Sequence, residues 1–280
     1  MMSGVCLLLL LLVHGFLIEP NRLIARSYTL ALPRWPAALN GFKIAAVGDI
    51  HAGAPFIDEN KLEAMVRRLS AEKADLIVWL GDYVIQEVIG GHFMEPEKVA
   101  AILSKAKATH GQIAIIGNHD RWLNAARIEN AFEAAGIPFL RWKAKTFPLK
   151  GVALHVFGFN DFEGSPNYWQ SLRRTQREWR TLPADEPIVV LSHSPDVFDD
   201  LPARVVLTLA AHTHGGQVRL PFFGSPIVPS AYGQRFARGL IIEDGRHLFV
   251  NTGIGTSIIP VRFRVPPEIS ILTLVHAAAN

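Results

Sequence analysis

Five short apolar runs in this chain each break off and hand over, within a few residues, to a side chain that can bind a metal. Phe42 to Val47 leads into Gly48-Asp49-Ile50-His51, Leu76 to Leu80 into Gly81-Asp82, and Ile113 to Ile116 into Gly117-Asn118-His119-Asp120. Farther along, Pro187 to Ser192 leads into His193, and Val205 to Leu209 leads into His212-Thr213-His214. Runs rich in Val, Ile and Leu and bounded by glycine read as buried strands. Helical spacing fills the intervals: Asp58 to Lys73, with Leu62, Met65, Val66 and Leu69 on one face and Asp58 as N-cap, then Glu97 to Lys107, then Leu123 to Ala135 closed by Gly136. Strands alternating with helices predict an α/β architecture, in which ligands gather beyond the carboxyl ends of the strands.

The second half is richer in strands, at Val152 to Phe159, Gly239 to Glu243, His247 to Asn251 and Ile269 to Val275, with Gly245 where a hairpin turn needs it. Pro221 to Ser230 is a loop rich in Pro and Gly. No internal repeat, low-complexity tract or long linker divides the chain. One catalytic domain over 37–280 is expected, preceded by an apolar anchor and connecting segment over 1–36.

The residue types suit a pair of divalent ions. Two such ions about 3.5–4 Å apart need a bridging carboxylate, and imidazoles complete their shells. Asp49 and His51, and likewise His212 and His214, are two residues apart, a spacing that turns both side chains the same way if the strand continues. Gly48, Gly81 and Gly117 each precede a candidate ligand and are expected to let the backbone turn there. Cys6 is the one cysteine and lies in the N-terminal apolar run, so imidazole, carboxylate and amide groups must hold the metal.

On these motifs the chain resembles the calcineurin-like metallophosphoesterase superfamily. The series D-x-H, GD, GNH-D/E, H and GH-x-H is present as DIH at 49–51, GD at 81–82, GNHD at 117–120, His193 and AHTH at 211–214, with Ala211 where the family usually has Gly. The resemblance implies a four-layer α/β/β/α sandwich of two mixed sheets flanked by helices. It also implies two-metal hydrolysis of a phosphodiester or pyrophosphate bond by metal-activated water. By similarity Asp49, His51 and His214 hold one ion, Asn118, His193 and His212 the other, and Asp82 bridges them. His119 stabilises developing charge or protonates the leaving oxygen, and Asp120 orients His119 through its second ring nitrogen. Mn²⁺ is the ion the resemblance favours; mixed nitrogen and oxygen ligands also suit Fe, Zn or Ni. HTHGGQ at 212–217, EPNRL at 19–23 and GTSIIPVRFRVPPEI at 255–269 look like the membrane-associated bacterial branch of YkuE and YaeI type. That branch includes a lipid A pathway enzyme cleaving UDP-2,3-diacylglucosamine, which makes a lipid-linked nucleotide an expected substrate beside soluble phosphate esters.

Val5 to Ile18 (VCLLLLLLVHGFLI) is shorter than the roughly 20 residues of a spanning helix. No Lys or Arg precedes it and no small-x-small cleavage site follows, which weakens its reading as a cleaved signal; an ordinary buried helix is the other alternative. Arg22, Arg26 and Arg34 come after the run, so the positive-inside bias points to the inner membrane, an N-terminal anchor, and a catalytic domain on the cytoplasmic side. The formal net charge of +3 is too small to argue for nucleic acid, and no basic run interleaved with aromatics is present, so none is expected as partner. A non-catalytic binding module is the remaining alternative, and such modules usually lose ligands, whereas every position is filled here. Arg121, Asn160 and Asp161 are candidate substrate contacts, with Trp122 beside the first. Phe222 and Phe223 can meet acyl chains or cover the core. Arg173, Arg174, Arg177 and Arg180 share a helix with Trp169 and Trp179, where a solvated face competes with a membrane-facing one. Arg262 and Arg264 alternate on a late extended segment and either reach phosphate or face water.

Overall fold

The computed structural model describes residues 2–85, 88–159 and 167–277. The apolar run forms α1 (Met2–Val13), continued by a π-helical turn over His14–Ile18, and the side chains of Val5 and Leu7 to Val13 are exposed. Among the described residues no helix is long and apolar enough to cross a membrane. Next comes β1 (Ile24–Leu32), then β2 (Phe42–Val47), α2 (Glu59–Ala71), β3 (Leu76–Trp79), α3 (Pro96–Leu103), β4 (Gln112–Ala114) and α4 (Asn118–Ala134). The Asp58 carboxylate accepts from the Lys61 amide at 2.8 Å, the N-cap expected of it. The second half supplies β5 (Lys143–Leu149), β6 (Val152–Gly158), α5 (Tyr168–Trp179), β7 (Ile188–Leu191), β8 (Val205–Ala210), β9 (Gly239–Glu243), β10 (Arg246–Val250) and β11 (Glu268–His276).

Two mixed sheets result, ordered β1-β11-β2-β3-β4 and β5-β6-β7-β8-β10-β9. Strand alternation assigns each side chain to a layer. On β2, Ile44 and Ala46 pack between the sheets while Ala45 and Val47 meet the helices; on β7, Val189 and Leu191 point inward while Ile188 and Val190 face the α5 side. α2, α3 and α4 cover the first sheet with Leu62, Val99 and Phe132, and α5 covers the second with Leu172 and Trp179. This is the expected four-layer sandwich. The strands covered on both faces read as unbroken apolar runs for that reason.

The boundary expected at residue 36 moves. β1 lies inside the segment set aside as a connector, yet it pairs in parallel with β11 from Ile24 opposite Glu268 to Leu32 opposite His276, and Leu30 and Leu32 are buried between the sheets. β1 is thus a strand of the first sheet rather than a connector. Two of the arginines read as membrane-orienting charges belong to the fold: Arg26 pairs with Glu268 at 3.3 Å, and Arg34 donates to the Val205 carbonyl at 3.0 Å.

Candidate metal centre

The candidate ligands follow the strands rather than continue them. Asp49, His51, Asp82, His212 and His214 all have left-handed backbones, with φ of 47°, 46°, 58°, 72° and 50°. The expected alternation of a continuing strand is thus not what aligns Asp49 with His51, or His212 with His214; each side chain is aimed by a left-handed bend just past the strand end. Such bends cost on the order of 1–3 kcal/mol each and persist where the surroundings over-determine them. Here they do: the Asp49, His51 and Ala52 amides donate to the Gly81, Asp82 and Tyr83 carbonyls at 2.9–3.0 Å.

The three glycines serve two different ends. Gly81 has φ of 91° and makes the turn expected of it. Gly48 and Gly117 supply room instead. A Cβ on Gly117 would sit 2.1 Å from Asp82 Oδ1, and one on Gly48 would sit 2.4 Å from the Ala211 Cβ. That contact accounts for Ala211, whose methyl group fits because position 48 has none.

All seven candidate ligands converge. One ligand atom from each of Asp49, His51 and His214 falls within 4.8 Å of the others, and so does one from each of Asp82, His193 and His212. His51 Nε2 and His214 Nε2 are 3.2 Å apart; His193 Nε2 lies 3.2 Å from Asp82 Oδ2, 3.0 Å from Asn118 Oδ1 and 3.2 Å from His212 Nδ1. Asp82 Oδ2 is also 3.6 Å from His51 Nε2, between the two groups. His193 Nδ1 donates to the Leu80 carbonyl at 2.7 Å, which orients the ring and turns Nε2 toward Asp82, Asn118 and His212. His119 joins a third cluster with His51 and Asp82.

The electrostatics suit a cation. Burial drives the imidazole of His51 down to about 4 and that of His212 to about 3, and pushes His214 well below its ordinary value, so these rings are neutral. Burial also lowers His193, but Asp82 and Asp49 outweigh it and raise the ring to about 9. Burial raises Asp82, and its histidine neighbours outweigh that, holding the carboxylate ionised. Burial lifts Asp49 to about 7, with His193 opposing. Asp49 Oδ2, His51 Nδ1 and His214 Nδ1 are buried without a hydrogen-bond partner. Buried polar atoms are seldom left so. Three neutral imidazoles, a fourth held by the carboxylates, an ionised Asp82 and orphaned buried atoms fit a divalent ion pair, and no thiol is needed.

Asp120 differs from expectation. Its carboxylate accepts from the backbone amides of Asp82 at 2.7 Å, Tyr83 at 2.8 Å and Gly117 at 3.0 Å, and His119 Nδ1 is buried with no hydrogen-bond partner. Asp120 therefore ties the Gly81-Asp82 loop to the start of α4, and it does not orient the His119 ring. His119 instead leans against the exposed Trp122 ring at 4.7 Å. A cavity of about 390 Å³ opens beside the cluster, lined by Asn118, Arg121, Trp122, Phe159, His193 and His212. Arg121 thus sits where a substrate contact was expected, while Asn160 and Asp161 lie outside the described residues.

Sequence reasoning missed what holds the centre from beneath. Arg262 is fully buried, and its guanidinium donates to the carbonyls of Thr252, Gly255 and Val265 at 2.6–3.2 Å. It fixes the loop in which Gly253 meets Asp49, where an added Cβ would be 2.6 Å from the Asp49 Cβ. Nothing in the sequence separates Arg262 from the more exposed Arg264 two residues on. Tyr83, missed as well, bridges the Trp79 and Ile115 carbonyls of β3 and the strand-end segment after β4.

The sequence pattern of the calcineurin-like phosphoesterase family matches residues 42–216. The metallophosphoesterase YkuE of Bacillus subtilis (strain 168) is 31% identical over 261 residues, covering 92% of this chain and 87% of its own. The phosphodiesterase YaeI of Escherichia coli (strain K12) is 30% identical over 243 residues, covering 84% and 82%. The UDP-2,3-diacylglucosamine pyrophosphatase LpxG of Chlamydia trachomatis is 25% identical over 308 residues, covering 92% and 91%.

Proposed function

Because this chain belongs to the calcineurin-like phosphoesterase family, we propose that its converging side chains hold two divalent metal ions and hydrolyse a phosphodiester or pyrophosphate bond. Asp49, His51 and His214 hold one ion, Asn118, His193 and His212 the other, and Asp82 bridges both. When bound, such a pair polarises phosphate oxygens and makes a water acidic enough to attack near neutral pH. The observation that carries this reading is the gathering of the Asp82 carboxylate, the Asn118 amide oxygen and four imidazoles at 3.0–3.6 Å from one another, with Asp49 Oδ2 left unbonded beside them.

The chain's own residues do the rest. Burial lowers the His119 pKa, so its ring is neutral near pH 7 and donates a hydrogen bond to the leaving oxygen from the cavity edge. Asp120 holds the amides of Asp82 and Tyr83 in place, which keeps the bridging carboxylate aimed. Arg121 and Trp122 line the cavity and receive the leaving group, the guanidinium against phosphate and the indole against an apolar or aromatic face. Mn²⁺ is the proposed ion, with Fe, Zn and Ni as its competitors.

The proposed substrate is a lipid-linked nucleotide of the UDP-2,3-diacylglucosamine class, hydrolysed at the cytoplasmic face of the inner membrane, with residues 5–18 as the membrane contact. The name of the Chlamydia relative and the exposed apolar α1 support this reading. A less selective phosphodiesterase is the second reading, supported by the name of the 30% identical Escherichia relative. Metal-stripped protein reconstituted with each ion separates the two. The first reading expects UMP release from the lipid nucleotide to exceed hydrolysis of bis-p-nitrophenyl phosphate by far. Turnover of the small ester alone would leave only the second. Activity that survives exhaustive chelation would remove both.

A further inference from the structure

A second cleft, of about 480 Å³, is lined by Arg219, Arg238 and Arg264 together with Leu220, Phe222 and Gly224. Three arginines thus share one cleft with little acid to balance them, and Arg238 Nη1 lies 3.5 Å from the Arg264 carbonyl. Among the described residues no carboxylate pairs with any of the three, and Glu268, whose charge reaches Arg238, is already engaged by Arg26 at 3.3 Å. Arg238 is pushed below its ordinary value, by burial first and then by Arg219. Like charges sharing a cleft with no carboxylate among them mark a place for an anion.

Phe222, on the cleft wall, and Ile258, in the loop that Gln217 ties to the start of that segment, each carry two costs at once. Phe222 is fully exposed and has φ of 68°, and Ile258 is 70% exposed with φ of 61°. Large and β-branched side chains rarely take left-handed backbones, and burial inside the fold compensates neither residue. Phe223 is exposed beside Phe222. Gln217 ties the two loops together, its side chain accepting from the Ser257 amide at 2.6 Å and donating to the Ile259 carbonyl at 3.3 Å. The root of α1 joins the same surface. Gly15 accepts from the Arg262 amide at 2.9 Å, His14 lies edge-on to Phe263 at 5.9 Å, and the Arg219 amide donates to the Phe263 carbonyl at 2.9 Å. An exposed apolar helix, two apolar loop tips and an unpaired basic cleft are thus linked through residues 261–263.

We propose that the Arg219–Arg238–Arg264 cleft binds the phosphate headgroups of an anionic phospholipid bilayer while Phe222, Phe223 and Ile258 enter its apolar layer. Docking in this way seats the metal centre one loop away from the membrane surface, because a Cβ added to Gly215, next to His214, would lie 3.6 Å from the Arg238 side chain. Aromatic tips beside basic residues are the pattern of interfacial attachment. The inference does not depend on which phosphate ester the metal centre hydrolyses.

The test uses the full chain with Cys6→Ser and Phe223→Cys, labelled at position 223 with an environment-sensitive dye, and vesicles of phosphatidylcholine with or without phosphatidylglycerol. Because α1 can attach the chain to either vesicle, the dye rather than sedimentation is the readout. The expected result is a blue shift that appears at far lower lipid concentration when phosphatidylglycerol is present. Adding Arg219→Gln, Arg238→Gln and Arg264→Gln should weaken that response on the order of 100-fold, at about a factor of five per arginine. Hydrolysis of bis-p-nitrophenyl phosphate should be unchanged, which certifies that the variant is folded. A dye that keeps its aqueous emission on both vesicles overturns the proposal. So does a triple variant that responds like the parent, or an arginine-dependent affinity for inorganic phosphate or an acidic protein with no vesicle insertion.

Discussion

The metal centre and the Phe222 rim contain the same unusual backbone, and they differ in what surrounds it. Asp49, His51, Asp82 and His214 have φ between 46° and 58° and are buried, the Asp49 and His51 amides bonded across to the Gly81 and Asp82 carbonyls. Phe222 and Ile258 have φ of 68° and 61° and stand in solvent. In the first region the fold itself returns the cost of the bends, through hydrogen bonds, close glycine contacts and the buried Arg262. In the second no buried contact returns it. On the two proposals made above, the ligand lies inside the fold in one region and against its surface in the other.

The largest effect expected on the buried side is that of the bridging group. Asp82→Asn should lower turnover by about 1000-fold or more and reduce metal content toward one ion per chain, measured by elemental analysis beside steady-state rates. Wild-type metal content with wild-type rates would dissolve the contrast between the regions. His119→Ala should lower kcat by about 100- to 1000-fold while both ions stay bound; a loss of metal would make His119 a ligand instead, as its cluster with His51 and Asp82 allows.

Proton competition gives an intermediate effect. In the metal-free protein His193 is raised to about 9 from 6.5 and Asp49 to about 7. The raised His193 is itself a stability contribution, complete below 6.5 and lost as pH rises through about 9. Above that pH a cation meets a neutral ring. Below it the cation must displace a proton, so apparent metal affinity should fall about tenfold per pH unit, and more steeply below about 7, where Asp49 also carries a proton. Calorimetry in buffers of different ionisation enthalpy counts the protons released, and a flat profile between pH 6 and 9 would contradict the assignment. The smallest effect is expected at the rim. Phe222→Gly relieves a left-handed backbone, so thermal stability should stay level or rise by up to about 1 kcal/mol. A clear fall in Tm would mean that the Phe222 ring is packed into the fold after all.

How much of this was legible in the sequence follows from which contacts are local. The strands covered on both faces, such as Leu76–Trp79 and Ile188–Leu191, announce themselves as apolar runs, and the ligands stand directly after them. β1 was hidden because an edge strand needs little burial: Arg26, Ser27 and Tyr28 break its apolar pattern, and only its pairing with β11, far away in sequence, makes it a strand. β5 contains Pro148, which is tolerated because the strand lies at the edge of its sheet. Asp120 stands beside the candidate ligands in sequence, but its bonds are not legible there, because its partners are the amides of Asp82, Tyr83 and Gly117, two of which the fold brings to it from a distant loop. Arg262 and Gly48 show the same limit. One looks like a surface charge and the other like a turn, until distant loops close on them.

The most direct measurement is anomalous scattering from crystals of the Mn²⁺-loaded protein. Two peaks about 3.5–4 Å apart are expected, one among Asp49, His51 and His214, the other among Asn118, His193 and His212, with the Asp82 carboxylate between them. A single peak, or a pair lying elsewhere on the molecule, would contradict the two-ion centre.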